Sequence, residues 1–280
     1  MRFVTYSLGG HQELGVRTDG GIVATGHPGL REYLEAGDAA AARLARLLAS
    51  GPSTVEPARL LSPLAERCQL VCVGGNYADH LAEMNLHPSE PVYFPKLWSA
   101  VLPPGEPLRF PQERTQLDYE VELAVIIGRT TRNIKAEDAA GHIFGYTVVN
   151  DIGARDVMAR EPMQIMLCKS ADGFLPVAED IVTADEVELG ANAITCTVNG
   201  EYRQKSTVDQ MLYDVPYLIE FLSRSVTLRP GDLITTGSPG GSAGGSVPGR
   251  APAAFLRPGD VVTASVEGVT SVTTTIAGPL

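Results

Sequence analysis

The chain has 280 residues, 44% of them hydrophobic, and a formal net charge of −11 from 22 Lys and Arg against 33 Asp and Glu. That length and apolar content suit one large domain or a large and a small one, and no apolar run of about 18 residues is present to cross a membrane. The acidic balance argues against nucleic acid or an anionic membrane as partner, and a strand-like N-terminus without a leader pattern predicts a cytoplasmic protein.

Residues 13–18 and 22–25 flank Asp19-Gly20-Gly21, a hairpin signal. An Ala/Leu-rich stretch over 29–50 predicts a helix that stops at Gly51-Pro52. Residues 1–62 therefore predict a small N-terminal strand-and-helix (α/β) domain with a supporting or dimer-packing role. Residues 63–280 predict a larger, β-rich α+β domain. Cys68, Cys72, Cys168 and Cys196 lack zinc-site spacing and are expected as buried free thiols.

Chemistry begins at Gly74-Gly75-Asn76-Tyr77-Ala78-Asp79-His80-Leu81-Ala82-Glu83. On a helical turn, His80 and Glu83 share a face. A carboxylate beside an imidazole raises its basicity and fixes its tautomer, which makes a water-activating pair; taken singly, the spacing also suits a surface pair.

Residues 118–128 predict a strand entering the interior, with Asp118, Glu120 and Glu122 on one face. Like charges on an apolar strand are costly without something positive among them. A strand over 144–149 ends on Asn150-Asp151, so Asp151 can join Glu120 and Glu122 around one cation. Three carboxylates without His or Cys favour Mg²⁺ or Mn²⁺, leave Ca²⁺ compatible and disfavour Zn²⁺. A solvated acidic face is the alternative. Lys169, in Cys168-Lys169-Ser170-Ala171-Asp172, would neutralise a substrate carboxylate or enolate if it lies among these groups, or else sit on the surface.

Further on, residues 194–198 and 201–204 flank the hairpin dipeptide Asn199-Gly200. Ser206 with Asp209 resembles a helix start, and Leu218, Ile219 and Leu222 continue at helical spacing, with Pro216 predicting a kink or a fresh start. The run L-R-P-G-D occurs at 228–232 and again at 256–260, each a turn feeding a strand. The Ser/Gly-rich stretch 238–246 between them is expected to be partly mobile.

Together these segments resemble the fumarylacetoacetate hydrolase superfamily, in its acylpyruvase or fumarylpyruvate hydrolase-like branch. The matching runs are G-x-N-Y-x-x-H-x-x-E at 74–83, D-Y-E-x-E-L-A at 118–124 and G-Y-T-x-x-N-D-x-x-A-R-D at 145–156. They continue with K-S-x-D at 169–172, V-N-G-E-x-R-Q at 198–204 and L-x-P-G-D-x-I-x-T-G-S-P-x-G at 228–241.

The resemblance implies a rolled mixed β-sheet catalytic domain, commonly a homodimer, with Mg²⁺ or Mn²⁺ on Glu120, Glu122 and Asp151. It implies a catalytic His80–Glu83 pair in a segment that often acts as a lid, and a catalytic Lys169. Ser238, standing where Thr is usual, is expected to contact substrate, as are Tyr77 and Asp172 of the matching motifs and Met158. The implied reaction is hydrolysis of a C–C bond in an acylpyruvate or other 1,3-dicarbonyl acid, with water activated by His80 and Glu83 and an enolate stabilised by the metal and Lys169. The alternatives are an oxaloacetate-type β-keto-acid decarboxylase or keto–enol isomerase on the same site, and a catalytically silent ligand-binding scaffold. Two departures stand out: Leu167 where many members have Arg, and Met158 where a polar residue is common. With Met163, Ile165 and Met166 they make this connection apolar, which predicts a bulkier or less anionic substrate than fumarylpyruvate.

Overall fold

The computed structural model describes residues 1–57, 59–85, 87–161, 163–245 and 255–279. Runs rich in β-branched residues assemble a ten-stranded mixed sheet. Its order is Gly21–His27, His11–Thr18, Arg2–Leu8, Asp180–Thr183, Ile143–Asn150, Val121–Ile127, Leu233–Thr235, Leu70–Gly74 and Val92–Lys96, with Arg59–Leu61 also pairing with Arg2–Leu8. Leu233–Thr235 and Leu70–Gly74 run parallel; the neighbouring pairs are antiparallel. A five-stranded sheet contains Ala193–Val198, Val261–Val266 and Thr270–Pro279. Of these three, Ala193–Val198 and Val261–Val266 pack across Val121–Ile127, and Val261–Val266 and Thr270–Pro279 across Ile143–Asn150. Val121–Ile127 is consequently buried at all seven positions, so a charge placed on it must be answered from within the protein.

The N-terminal residues extend this same sheet, since Arg2, Phe3 and Val4 pair antiparallel with Val182, Ile181 and Asp180. The helix expected over 29–50 is two helices, Leu30–Glu35 and Gly37–Ala49. Gly37, at φ +60°, turns the chain between them in a conformation that glycine enters without a Cβ penalty. All four cysteines are buried and free.

Both expected hairpins form, and Asn199 and Gly200 take the paired positive φ values, +53° and +82°, of a type I′ turn. No helix starts at Ser206, which belongs to the strand Glu201–Thr207; a single 3₁₀ turn, Val208–Gln210, follows. The helix begins afresh at Val215–Ser223, where the Asp214 side chain accepts the Tyr217 N–H at 2.9 Å and Pro216 occupies the first turn. The repeated L-R-P-G-D run makes the same turn twice. Asp232 accepts the Arg229 N–H at 2.7 Å, and Asp260 accepts the Arg257 N–H at 2.7 Å.

Gly145 lies where two strands leave no room for a side chain, because a Cβ there would meet the Val182 carbonyl oxygen at 2.2 Å. Gly145→Ala is expected to lower stability by about 1–3 kcal/mol through forced separation of the strands. Urea denaturation checks this, and an unchanged midpoint would refute it.

Candidate metal centre and active site

The strand expected to run unbroken through 118–128 is interrupted. Leu117–Asp118 pairs with Gly153–Ala154, and pairing resumes at Val121. Glu120 falls in the break. Its N–H donates to Asn150 Oδ1 at 2.9 Å, and its carbonyl accepts the Asp151 N–H at 2.8 Å. The backbone thus ties Glu120 to Asp151, while the regular strand delivers Glu122. These three buried residues offer carboxylate oxygens that all lie within 4.8 Å of one another.

Three cations attend this acidic group. Lys169 Nζ donates to Asp151 Oδ2 at 2.8 Å, to the Asp151 carbonyl at 3.0 Å, and to Glu120 Oε2. Arg155 Nε donates to Asp118 Oδ2 at 2.7 Å, and its guanidinium also reaches Glu120 Oε1. Fully buried Lys96 donates to Asp151 Oδ1 and to the Ile152 carbonyl at 3.2 Å. Burial alone would raise the Glu120 carboxyl, but Lys169 and then Arg155 hold it well below the usual carboxylate range.

Glu122 is in the opposite situation. No described Lys or Arg lies within ion-pair distance of it, and the Gly237 N–H donates to its Oε2 at 3.0 Å. Burial, then the charges of Asp151 and Glu120, push its carboxyl well above the ordinary range. Among the described residues, Asp118, Glu120, Glu122 and Asp151 face the three cations Lys96, Lys169 and Arg155, so with all four carboxyls ionised one negative charge is unanswered. A hard divalent cation among Glu120, Glu122 and Asp151 fits both the donor set and that charge excess.

His80 sits on the helix Ala78–Met84 with Nε2 3.8 Å from Glu120 Oε1 and Nδ1 3.7 Å from Glu83 Oε2. The Gly241 N–H donates to both Glu83 oxygens, at 2.8 and 2.9 Å. Asp118 accepts the N–H groups of Ala243 at 2.6 Å and Gly244 at 3.0 Å. Residues 238–245, expected to be mobile, are therefore held by backbone bonds to two site carboxylates; Ser246 lies outside the described residues. Gln204 fixes the same turn. Its Nε2 donates to Ser238 Oγ at 2.8 Å and to the Pro239 carbonyl at 2.7 Å, and its Oε1 accepts the Val121 N–H at 2.9 Å.

A cavity of 390 Å³ opens over this centre, and His80, Glu120, Glu122, Lys169, Ser238 and Met158 all line it, together with Arg155. Glu83 and Asp151 are not among the lining residues, but Glu83 accepts the Gly241 N–H and Asp151 accepts from the lining residue Lys169. Tyr77 is fully buried, and neither it nor Asp172 lines the cavity. Asp172 lies with Met166, Leu167, Leu97 and Arg114 along a separate depression. Met163 is 86% exposed. Of the apolar connection, Met158 and Ile165 are the members that reach the cavity.

Sequence reasoning passed over Lys96 and gave no role to Arg155, Gln204 or Asn150. The last three lie inside matched motifs, where a polar side chain next to a buried strand was the available signal. Lys96 closes the apolar run Val92-Tyr93-Phe94-Pro95, and an ammonium at the end of such a strand was the hint that it has a buried partner.

Residues 69–277 match the family described as fumarylacetoacetate (FAA) hydrolase C-terminal. The mitochondrial oxaloacetate tautomerase of Xenopus laevis is 38% identical over 243 residues, covering 85% of this chain and 75% of that protein. Its counterpart in Bos taurus is 41% identical over 241 residues, covering 84% and 76%. Among solved structures, the fumarylacetoacetate hydrolase of psychrophilic Exiguobacterium antarcticum superposes with a TM-score of 0.83 at 33% identity over 99% of both chains. A 5-carboxymethyl-2-hydroxymuconate delta-isomerase from Mycobacterium smegmatis gives 0.77 at 29% identity over 99% of this chain and 100% of that one. The match runs through every strand and turn that builds the carboxylate centre, and the chain belongs to the fumarylacetoacetate hydrolase family.

Proposed function

We propose that the chain is a divalent-metal-dependent enzyme that interconverts the keto and enol forms of a 2-oxo acid, with His80 moving the proton. The observation that carries this reading is that His80 Nε2 lies 3.8 Å from Glu120 Oε1 and lines the same cavity as Glu120 and Glu122, so that a base and the candidate metal ligands address one small ligand. Glu120, Glu122 and Asp151 would hold Mg²⁺ or Mn²⁺, whose charge stabilises the negative charge that develops on a 2-oxo oxygen as the neighbouring carbon loses a proton.

His80 accepts that proton at Nε2 and returns it to the enolate oxygen, which completes the enol. Glu83, held by the Gly241 N–H, lies beside Nδ1 and stabilises the imidazolium that results. Lys169 and Arg155 keep Glu120 ionised and so available as a ligand. The tautomerase names of relatives 38% and 41% identical support proton transfer as the reaction.

C–C bond hydrolysis is the second reading, favoured by the His80–Glu83 contact, since the same pair can activate a water. The test incubates the protein and Mg²⁺ with oxaloacetate, following enol absorbance and deuterium uptake at C3, and in parallel with acetylpyruvate, following acid release. Accelerated tautomerisation without acid release is the expected result. Stoichiometric acid and pyruvate from acetylpyruvate would select hydrolysis, and inertness toward both with Mg²⁺ and with Mn²⁺ would overturn the proposal. His80→Asn is expected to slow turnover by roughly 10²–10⁴-fold, the usual worth of a positioned base, while the Mg²⁺-induced rise in Tm persists.

A further inference from the structure

Away from the carboxylates, the cavity is walled by Leu81, Met84, Val92, Phe94, Met158 and Ile165. These come from four elements: the helix Ala78–Met84, the strand Val92–Lys96, and the helices Arg155–Arg160 and Ile165–Lys169. An apolar wall assembled from four separate segments is a property of the site and not of one local run. The two cations in the lining are already engaged, Lys169 with Glu120 and Asp151, and Arg155 with Asp118 and Glu120. Among the described lining residues no unpaired Lys or Arg remains for a second carboxylate; His87 is exposed. Leu81, Met84, Val92, Phe94, Met158 and Ile165 offer a carboxylate no ionic partner, so one driven against them would lose its water uncompensated.

The volume points the same way. A cavity of 390 Å³ falls within the roughly 300–1,000 Å³ of pockets that hold drug-sized ligands, so a four-carbon acid at the carboxylate centre leaves apolar space unfilled.

We infer that the site selects 2-oxo acids whose end remote from the carboxylate centre is an uncharged alkyl or aryl group, and that Val92, Phe94, Met158 and Ile165 recognise that group. The inference rests on the 2-oxo-acid reading given above and specifies the substrate's other end.

Calorimetric titration of the Mg²⁺-loaded protein with 2-oxobutanoate, 2-oxohexanoate and 2-oxohexanedioate separates the two statements without requiring turnover. Affinity is expected to rise roughly fourfold per added methylene from the first to the second. The dicarboxylate of the same length should bind about tenfold or more weakly than 2-oxohexanoate. Val92 is 44% exposed, so Val92→Lys is accommodated by the fold; it adds a cation at the wall and should narrow that gap. Equal or tighter binding of the dicarboxylate by the unsubstituted protein, or affinity indifferent to chain length, overturns the inference and leaves the 2-oxo-acid reading standing. If 2-oxobutanoate gives neither heat nor a Mg²⁺-dependent rise in Tm, the reading itself fails and the inference falls with it.

Discussion

Glu122→Gln is expected to abolish metal-dependent turnover and yet leave the protein, in EDTA, at least as stable as the parent. Removing a ligand usually harms both properties. Here they separate because Glu122 is the carboxylate with no ion-paired cation: it lies on a fully buried strand, and burial with Asp151 and Glu120 disfavours its ionised form. Glutamine keeps the shape and removes the charge. The sign of the pH dependence follows from the raised carboxyl. Between the ordinary glutamate range and its raised native value, the folded chain binds more protons than the unfolded one, so stability in EDTA falls as pH rises through that window. Glu122→Gln should flatten that fall. Mg²⁺ should raise the Tm of the parent at neutral pH and leave that of the variant unmoved. Thermal melts at several pH values, with EDTA or with Mg²⁺, test all three statements. A variant clearly less stable than the parent in EDTA would show that Glu122 is already compensated.

Lys96→Met should have the opposite character, a large loss of stability from a residue outside the cavity lining. Its ammonium is fully buried and contacts Asp151 Oδ1 and the Ile152 carbonyl. Removing one partner of a buried ion pair leaves the other uncompensated, at about 3–5 kcal/mol. Asp151 retains Lys169 at 2.8 Å, which places the loss toward the lower end of that range. Because Mg²⁺ would supply the missing charge at Asp151, adding it should restore part of the stability. Urea titrations with and without Mg²⁺ measure this, and a loss below about 0.5 kcal/mol would place Lys96 among pairs of negligible worth.

These two residues also mark what could be read from the chain. Glu120, Glu122 and Asp151 were legible because alternation along a strand and a carboxylate at a strand end are local patterns. Of their cations, Lys169 was named as a candidate partner of substrate, but Lys96 and Arg155 were not, because they arrive from different segments and no local pattern states which buried cation meets which carboxylate. The break at Tyr119 and Glu120 was hidden for a similar reason. The Glu120 N–H takes the Asn150 side chain as its acceptor, a partner 30 residues away.

Orientation was the other limit. The helix Ile165–Lys169 has five residues, too short for periodicity to reveal a face. In the fold Ile165 and Lys169, one turn apart, face the cavity, while Met166 and Leu167 line the depression that also holds Asp172. Of the residues expected to make the site apolar, Met158 and Ile165 therefore line the cavity, and Met166 and Leu167 face elsewhere.

The pairing of Arg2–Leu8 with Asp180–Thr183 bears on how the chain is cut for study. Asp180–Thr183 also pairs with Ile143–Asn150, the strand whose end delivers Asp151. A fragment beginning near residue 63 would turn Asp180–Thr183 into an open sheet edge with unpaired N–H and C=O groups, a template for pairing with other chains. Loss of the Arg2 guanidinium, 2.8 Å from Asp180, would strip a charge partner from that edge as well. The first strand thus covers that edge, two strands along the sheet from the one whose end delivers Asp151.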